Sequence, residues 1–243
     1  MRQALAMILL LWSTVCLSDN VVRLTSLEWP PYSGKQLDHQ GASVAVAKAA
    51  FAAMGYQLEV DFFPWSRTVS LARNNSTAYA GYFPEYYAED IAQQFIYSDE
   101  IGSGPLGFVE QSQKPVNWST LNDLKDYRIG IVQDYVNTKE FDAMAESGQL
   151  TTEAVINDKS NLLKVINGRL DLAVIDRNVM DYLFKTDRSL RNKAARANFN
   201  TRLLANKKLY ICFKKTPQGQ KLAEIFNQGL ARIDIHSIMA KYL

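Results

Sequence analysis

The alternation of strand-like and helix-like segments constrains this chain more than any other feature, because one order, β-α-β-α-β, occurs twice. The predicted strands are 21–27, 57–62 and 78–83 in the first unit, and 128–132, 151–156 and 170–175 in the second. Single helices between strands favour parallel pairing, because each helix carries the chain back to the start of the next strand. The sequence therefore predicts an α/β fold of two lobes, each with a mostly parallel sheet.

Local signals mark the ends of several predicted elements. Gly55 and Gly168 stand where helices should stop. Residues 137–140, Asn-Thr-Lys-Glu, have the pattern of a capping box at a helix start. Thr216 followed by Pro217 predicts the start of a long helix near the C-terminus. Between the two units, residues 101–105 are small enough to act as a hinge.

The first 18 residues have the pattern of a signal peptide. Arg2 supplies a positive charge, residues 4–12 are apolar, and small residues precede a predicted cleavage after Ser18. The apolar run is shorter than the ~20 residues that span a bilayer, so we favour cleavage over an uncleaved anchor. Lipidation at Cys16 ranks below both, because that cysteine follows Val15 instead of a small residue. No second long apolar run follows, so we expect an exported, soluble mature chain.

The charge balance and the cysteine content argue against some partners and bonds. Removing Arg2 from the 27 basic residues leaves 26 against 25 acidic ones, which does not favour nucleic acid as a partner. The basic residues between 188 and 208 are interpreted as a solvated face of the second lobe, because aromatic residues are not interleaved with them. One cysteine, Cys212, remains after cleavage, so we expect a buried thiol and no internal disulfide.

Motifs for catalysis and metal binding are missing from the sequence. The two histidines, His39 and His236, have no zinc-ligand spacing. The sequence has no nucleophile elbow and no glycine loop for a phosphate. Adjacent carboxylates such as Glu89 and Asp90 are interpreted as solvated loop charges. We therefore expect a protein that is not an enzyme and needs no metal or cofactor.

Candidate binding residues of the first unit follow the predicted strands, because parallel α/β sheets bind ligands at the carboxyl ends of their strands. The loops there supply aromatic walls, a cation and a close backbone approach. These candidates are Trp29, Tyr32, Trp65, Arg67, Gly81, Tyr82 and Phe83. Packing in the core or the hinge is the alternative interpretation of the two tryptophans.

The candidates of the second unit are Tyr135, Asn137 and Asp176. The first two lie between a strand and a helix N-terminus, where backbone N–H groups favour an anionic ligand group; Asp134 partly opposes this. Asp176 ends an apolar strand, where a carboxylate can pair with an ammonium group. Capping of the following helix is an equally good interpretation of Asp176.

Seven stretches also occur in the order of a known family. They include WPPYSG at 29–34, NGRLDLAVID at 167–176, and the segments 41–55, 97–99, 121–131, 209–215 and 227–230. Together they resemble the bacterial extracellular solute-binding proteins of family 3, the polar amino-acid receptors of ABC transporters. The resemblance implies a type II periplasmic binding protein fold, in which two crossing strands join the lobes. It implies a first lobe at 19–104, a second lobe at 105–205, a return to lobe one at 206–243, and a periplasmic location.

The resemblance assigns family roles to some of the candidate site residues but not to others. Trp29 falls where the family stacks an aromatic ring on the ligand, and Asp176 falls where it has the acid that holds an α-ammonium group. The carboxylate-binding arginine of the family is missing, since residues 85–94 contain no arginine. We expect a small polar, amine-bearing solute, an amino acid or a derivative, and Arg67 as the substitute for the missing arginine. A solvent-facing side chain is the alternative for Arg67.

Three functions stay open at this point. The first is a monomeric receptor that closes around its solute and delivers it to an ABC permease. The second is a dehydratase-like enzyme on the same fold, since the family includes such members. The third is a sensory or partner-binding protein that has lost solute binding.

Overall fold

The computed structural model describes residues 20–243, so the predicted signal peptide lies outside the described residues. The strands are β1 (Val21–Ser26), β2 (Gln57–Phe62), β3 (Gly81–Tyr86), β4 (Phe95–Tyr97), β5 (Gly102–Gln111), β6 (Arg128–Val132), β7 (Thr151–Val155), β8 (Leu172–Asp176), β9 (Ala197–Phe199) and β10 (Ala205–Lys214). The helices are α1 (Ala42–Ala52), α2 (Trp65–Arg73), α3 (Glu89–Gln94), α4 (Lys139–Glu146), α5 (Asp158–Ile166), α6 (Arg177–Thr186), α7 (Pro217–Leu230) and α8 (Ile235–Met239).

The sheet has two parallel parts with an antiparallel pair of strands between them. Its order is β2-β1-β3-β10-β5-β8-β6-β7, with β4 paired to β10 and β9 paired to β5. Strand β1 is parallel to β2 and β3, and β6 is parallel to β7 and β8. Each parallel part comes from one of the two predicted β-α-β-α-β units. The predicted α/β fold with two lobes is confirmed.

Two long strands, β5 and β10, cross from one lobe to the other. The first half of β5 pairs with β10 from Gly102↔Leu209 to Leu106↔Ala205, and its second half pairs with β8. The second half of β10 pairs with β3 and β4 of lobe one. Residues 102–105, predicted as a flexible hinge, form part of this regular strand. The predicted lobe boundaries at 104/105 and 205/206 fall inside the two crossing strands.

The last long helix, α7, packs on lobe one. Gly229 lies so close to α1 that a Cβ atom built on it would be 2.1 Å from the Ala50 carbonyl oxygen. The rings of Phe51, Phe213 and Phe226 form a cluster with centroids 5.0–6.4 Å apart. Burial of three aromatic side chains is a large apolar contribution to a single interface. It fixes the last long helix against the first.

One predicted helix start is confirmed in full, a second is right in position only, and one predicted strand end needs correction. Thr216 caps α7 with Pro217 in its first turn, as predicted. Helix α4 begins where predicted, but only Thr138 caps it, by accepting from Phe141 N–H, and no capping box forms. Strand β3 does not end before Pro84 but continues to Tyr86. The pairing of β3 with β10 shifts register in this stretch, and such an irregularity accommodates a proline in a ladder.

Candidate binding cleft between the lobes

Asp176 ends β8 at the boundary between the lobes and is 1% exposed. It caps α6, because one carboxylate oxygen accepts from the backbone N–H of Asn178 at 2.8 Å and of Val179 at 3.3 Å. The capping interpretation of Asp176 thus describes its local geometry. Burial raises its pKa to about 7, against the lowering effect of these hydrogen bonds.

Tyr32 of lobe one reaches across to Asp176. Its hydroxyl donates to the carboxylate, with oxygen–oxygen distances of 3.1 and 3.2 Å, and accepts from the side-chain amide of Asn178 at 2.8 Å. Tyr32 is completely buried. Three polar groups from two lobes therefore satisfy one another in a site closed to water.

Gly104 of β5 makes room for this contact. A Cβ atom built on it would lie 2.1 Å from both the Asp176 carboxylate and the Tyr32 hydroxyl. No real Cβ contact is that short, so any larger residue at 104 would push the pair apart. The crossing strand thus forms the floor of the cleft at the point where the lobes meet.

Trp29 makes a second contact between the lobes. Its ring stacks on Tyr32 at 4.5 Å between centroids and 21° between planes, and it meets Tyr86 edge-on at 6.1 Å. Its side chain also hydrogen-bonds the carboxylate of Asp158, at the start of α5 in lobe two. Burial raises the pKa of Asp158 to about 7, against the lowering effect of the Trp29 hydrogen bond.

Helix α2 makes a third contact, with the loop after β6. The indole N–H of Trp65 donates to the Asp134 carbonyl at 2.9 Å, and the Ser66 hydroxyl donates to the Asp134 carboxylate at 2.5 Å. The Trp65 ring also meets Tyr135 edge-on at 5.7 Å between centroids. A rigid aromatic ring of lobe one is thereby held against lobe two.

A lysine of β10 completes the cleft. The ammonium of Lys207 donates to the Asn137 carbonyl at 2.5 Å and lies 4.9 Å from the centroid of the Tyr86 ring. Nearby, Glu85 is buried and accepts from the Tyr82 hydroxyl at 3.0 Å and the Tyr86 N–H at 2.8 Å. Burial is the main cause that raises the pKa of Glu85 to about 8.

These side chains fill the cleft almost completely. The cavity that remains has a volume of about 30 Å³, and Trp29, Trp65, Glu85, Tyr86 and Tyr135 are among its lining residues. A void of this size holds one or two water molecules, whereas ligand pockets typically measure ~300–1,000 Å³. In this conformation the protein's own aromatic rings occupy the space between the lobes.

The structure brings together six of the ten predicted site residues. They are Trp29, Tyr32, Trp65, Tyr135, Asn137 and Asp176, which all contribute to contacts between the lobes or to the loops that make them. Tyr82 is a partial case, because it packs edge-on against Trp65 but its hydroxyl binds Glu85 of its own strand.

The other three predicted residues lie elsewhere. Phe83 belongs to the buried core. Gly81 allows a close approach, but to a strand, because a Cβ atom on it would be 2.2 Å from the Cys212 carbonyl oxygen. Arg67 is exposed, with its guanidinium 5.0 Å from the centroid of the Phe63 ring. Its role as the carboxylate-binding residue stays a prediction, and its place in this conformation corresponds to the alternative of a solvent-facing side chain.

Sequence reasoning missed several residues of the cleft, among them Glu85, Tyr86, Asp158, Asn178 and Lys207. A signal existed for two of them, because Asp158 follows β7 and Asn178 follows Asp176, both at carboxyl ends of parallel strands. Glu85 and Lys207 lie within strands, and only the tertiary structure places them at the cleft. Among residues 20–243, no group of histidine, cysteine, aspartate and glutamate side chains is arranged to hold a metal ion.

Two lobes joined by two crossing strands define the type II periplasmic binding protein fold. One similar solved structure is a histidine kinase sensor domain with similarity to periplasmic binding proteins; it is 18% identical, with a TM-score of 0.77 over 92% of this chain and 96% of that one. An ancestral arginine-binding protein bound to arginine is 16% identical, with a TM-score of 0.73 over 92% and 98%. The substrate-binding protein of an amino acid ABC transporter is 13% identical, with a TM-score of 0.70 over 92% and 99%.

These likenesses show the fold. No family model matches the chain, and no curated protein matches it in sequence. Within residues 20–243, no helix has the length and apolar character needed to cross a membrane.

Proposed function

We propose that this protein is a two-lobed receptor that binds a small polar, amine-bearing solute between its lobes, with Asp176 as the partner of the solute's ammonium group. One observation carries the proposal: the buried carboxylate of Asp176 has a single side-chain partner from the opposite lobe, the neutral hydroxyl of Tyr32. It lies at the carboxyl end of a parallel strand, where α/β sheets bind ligands.

An ammonium group has a physical advantage over the Tyr32 hydroxyl. An ammonium group adds the attraction between two opposite charges to its hydrogen bond with the ionised carboxylate, whereas the neutral hydroxyl does not. A cationic ligand would also favour the ionised carboxylate, whose pKa burial raises to about 7. The solute would therefore compete with Tyr32 for Asp176.

Entry of a solute requires the lobes to separate, because the closed cavity measures only about 30 Å³. The crossing strands β5 and β10 are the two connections about which such a movement turns, as in other hinged proteins. The remaining parts of the proposal are a periplasmic, monomeric protein, delivery of the solute to an ABC permease, and no catalytic turnover.

Thermal shift measurements with a library of amine-bearing metabolites test the proposal. Each compound is paired with its analogue lacking the amine, and hits are measured by calorimetry. Asp176→Asn is the discriminating variant, because asparagine still caps a helix but lacks the negative charge. We expect it to weaken binding by ~2–5 kcal/mol, the usual cost of breaking a buried charged pair.

The matched control is Asp181→Asn, which removes an exposed carboxylate from the same helix. It should leave affinity unchanged. Equal affinity of a hit for the Asp176→Asn variant and the wild type would remove Asp176 from the site, and a hit that binds equally without its amine would overturn the proposed solute class.

A second candidate is a sensory or partner-binding protein whose cleft takes no solute. The observation that favours it is the filling of the cleft by Trp29, Tyr32, Trp65 and Tyr86. This candidate predicts no thermal shift with any library member and an unchanged radius of gyration. Turnover of a prephenate-like compound would instead support the enzyme.

A further inference from the structure

Lobe two carries a second cavity, which we call the lobe-two groove. Its volume is about 770 Å³, and its lining comes from three chain segments, 110–118, 177–184 and 194–202. None of the cleft residues described above lines it. The volume falls within the ~300–1,000 Å³ range of ligand-binding pockets, in contrast to the filled cleft.

The groove combines apolar side chains with two oriented guanidinium groups. Arg177 lies 5.6 Å from the centroid of the Phe199 ring, and Arg202 lies 5.1 Å from that of the Trp118 ring. Stacking on an aromatic ring holds a guanidinium in place and leaves its edge free for a carboxylate. The nearest acid to Arg177, Asp181, is exposed and 3.8 Å away, so it competes only weakly.

Hydrogen bonds connect the residues at the base of the groove. The buried carboxylate of Glu110 accepts from the Asn200 amide at 2.7 Å and the Val116 N–H at 3.0 Å. The Trp118 indole donates to the same Asn200 side chain at 3.3 Å. One Glu110 oxygen is therefore held by donors of the protein itself, and one N–H group of the Arg202 guanidinium donates to the Ser119 carbonyl at 2.7 Å.

The charged residues that line the groove are Arg177, Arg202, Glu110 and Asp181, but the chain segment that contributes two of its walls is basic. Residues 177–202 contain seven basic and two acidic residues, whereas the whole chain has a formal net charge of +2. Because this segment has five more basic than acidic residues, the rest of the chain is net negative. From the sequence alone, these charges were interpreted as a solvated face, and the groove beside them could not be recognised. Such a patch attracts an acidic partner and speeds its association.

One wall of the groove is the edge of a strand. Residues 197–199 of β9 pair with β5 from Gln111↔Ala197 to Val109↔Phe199. Within residues 20–243, no strand pairs with the other edge of β9; on that edge the Ala197 N–H donates to the Ala194 carbonyl, which leaves the Phe199 N–H and the carbonyl groups of both residues for a partner. Open strand edges accept extended peptides, whose backbone adds a strand while alternate side chains enter pockets.

We propose that the lobe-two groove binds an extended, acidic segment of a partner protein. The segment would pair with the open edge of β9, place carboxylates on Arg177 and Arg202, and bury apolar side chains in the groove. The proposal does not depend on solute binding in the cleft.

Fluorescence anisotropy of the purified mature chain tests this with a labelled peptide of alternating glutamate and valine. We expect binding that weakens at least tenfold in an Arg177→Gln, Arg202→Gln double variant. Arg73→Gln, which removes an exposed arginine from lobe one, should leave affinity unchanged. A peptide with lysine in place of glutamate should not bind. N-methylation of alternate residues removes the N–H groups needed for strand pairing and should weaken binding at least tenfold.

The proposal is overturned if the acidic peptide does not bind at about 1 mM, or if the lysine peptide binds equally well. It is also overturned if the double variant or the N-methylated peptide binds with unaltered affinity. Co-sedimentation of the protein with phosphatidylglycerol vesicles, lost in the double variant while the peptide fails to bind, would assign the groove to a membrane surface instead.

Discussion

The hydroxyl oxygen of Tyr32 in lobe one lies 3.1 Å from the nearer carboxylate oxygen of Asp176 in lobe two. The contact joins residues that are 144 positions apart in the sequence. It also occupies the carboxylate that the proposed solute would need. The closed state therefore has its own internal partner for Asp176, and a ligand can change the conformation only through its different affinity for the open and closed states.

Removing this hydroxyl should destabilise the closed state. Tyr32→Phe leaves the Asp176 carboxylate and the Asn178 amide each without one buried partner, which costs ~1–3 kcal/mol. Urea unfolding measures the loss, and small-angle scattering should show a larger radius of gyration. Tyr79→Phe is the control, because its hydroxyl bonds Asp61 near the surface. A Tyr32→Phe protein as stable and compact as the wild type would show that the contact does not hold the lobes together.

A methyl group at position 104 should separate the same pair. The Cβ atom of Gly104→Ala would lie 2.1 Å from Tyr32 and Asp176 oxygens, so the pair must move or the strand must shift. Overpacking of this kind typically costs ~1–3 kcal/mol. Thermal unfolding compares this variant with Ser103→Ala on the same strand, which should change stability little. Equal stability of all three proteins would contradict the close packing at Gly104.

The stability of the fold should fall as pH rises from about 5 to about 8. Burial raises the pKa of Asp158 and Asp176 to about 7 and that of Glu85 to about 8. Between the unfolded pKa near 4 and these values, the folded state holds protons that the unfolded chain has released. Raising the pH therefore favours unfolding, by up to ~1.4 kcal/mol per pH unit for each group, and the effect levels off above pH 8.

Urea unfolding at intervals between pH 4.5 and 8.5 measures this slope. Asp158→Asn should reduce it, because asparagine still accepts from Trp29 but does not titrate. Below about pH 4 the opposite effect sets in, since a hydrogen bond from Lys159 lowers the pKa of Asp187 to about 2. A stability that rises between pH 5 and 8 would contradict the burial of these carboxyl groups.

Once a cleft ligand is known, the Arg67→Lys variant distinguishes between two possible roles of this arginine. A bidentate carboxylate contact predicts binding at least tenfold weaker, ~1.4 kcal/mol, because lysine keeps the charge but loses the fork. From the position of Arg67 over Phe63, we expect unchanged affinity. Calorimetry decides between them, and a tenfold loss would mean that Arg67 moves into the cleft when the ligand binds.

Sequence reasoning predicted the order of the main elements because strong local signals mark them. Apolar runs bounded by glycine, proline or turn residues mark most strands of the two parallel parts, and Thr216 with Pro217 marks the start of α7. The long strand β5 was not predicted, because its first residues, 102–105, have the composition of a loop. Short elements such as β4 and β9 were not predicted, since three residues carry too little periodicity to be recognised. The extension of β3 through Pro84 was not predicted either, because the irregular pairing with β10 that permits it is a tertiary feature.

The sequence by itself determined the two α/β units and placed Trp29, Tyr32 and Asp176 at the ends of strands, where a cleft would form. Both results depend on residues that are close along the chain. Only the tertiary structure decided which groups meet there, namely Tyr32 with Asp176 and Trp29 with Asp158, and that Arg67 lies over Phe63 in this conformation. Such pairings depend on the packing of distant segments and on the space left by Gly104, and no local pattern of residue types encodes either.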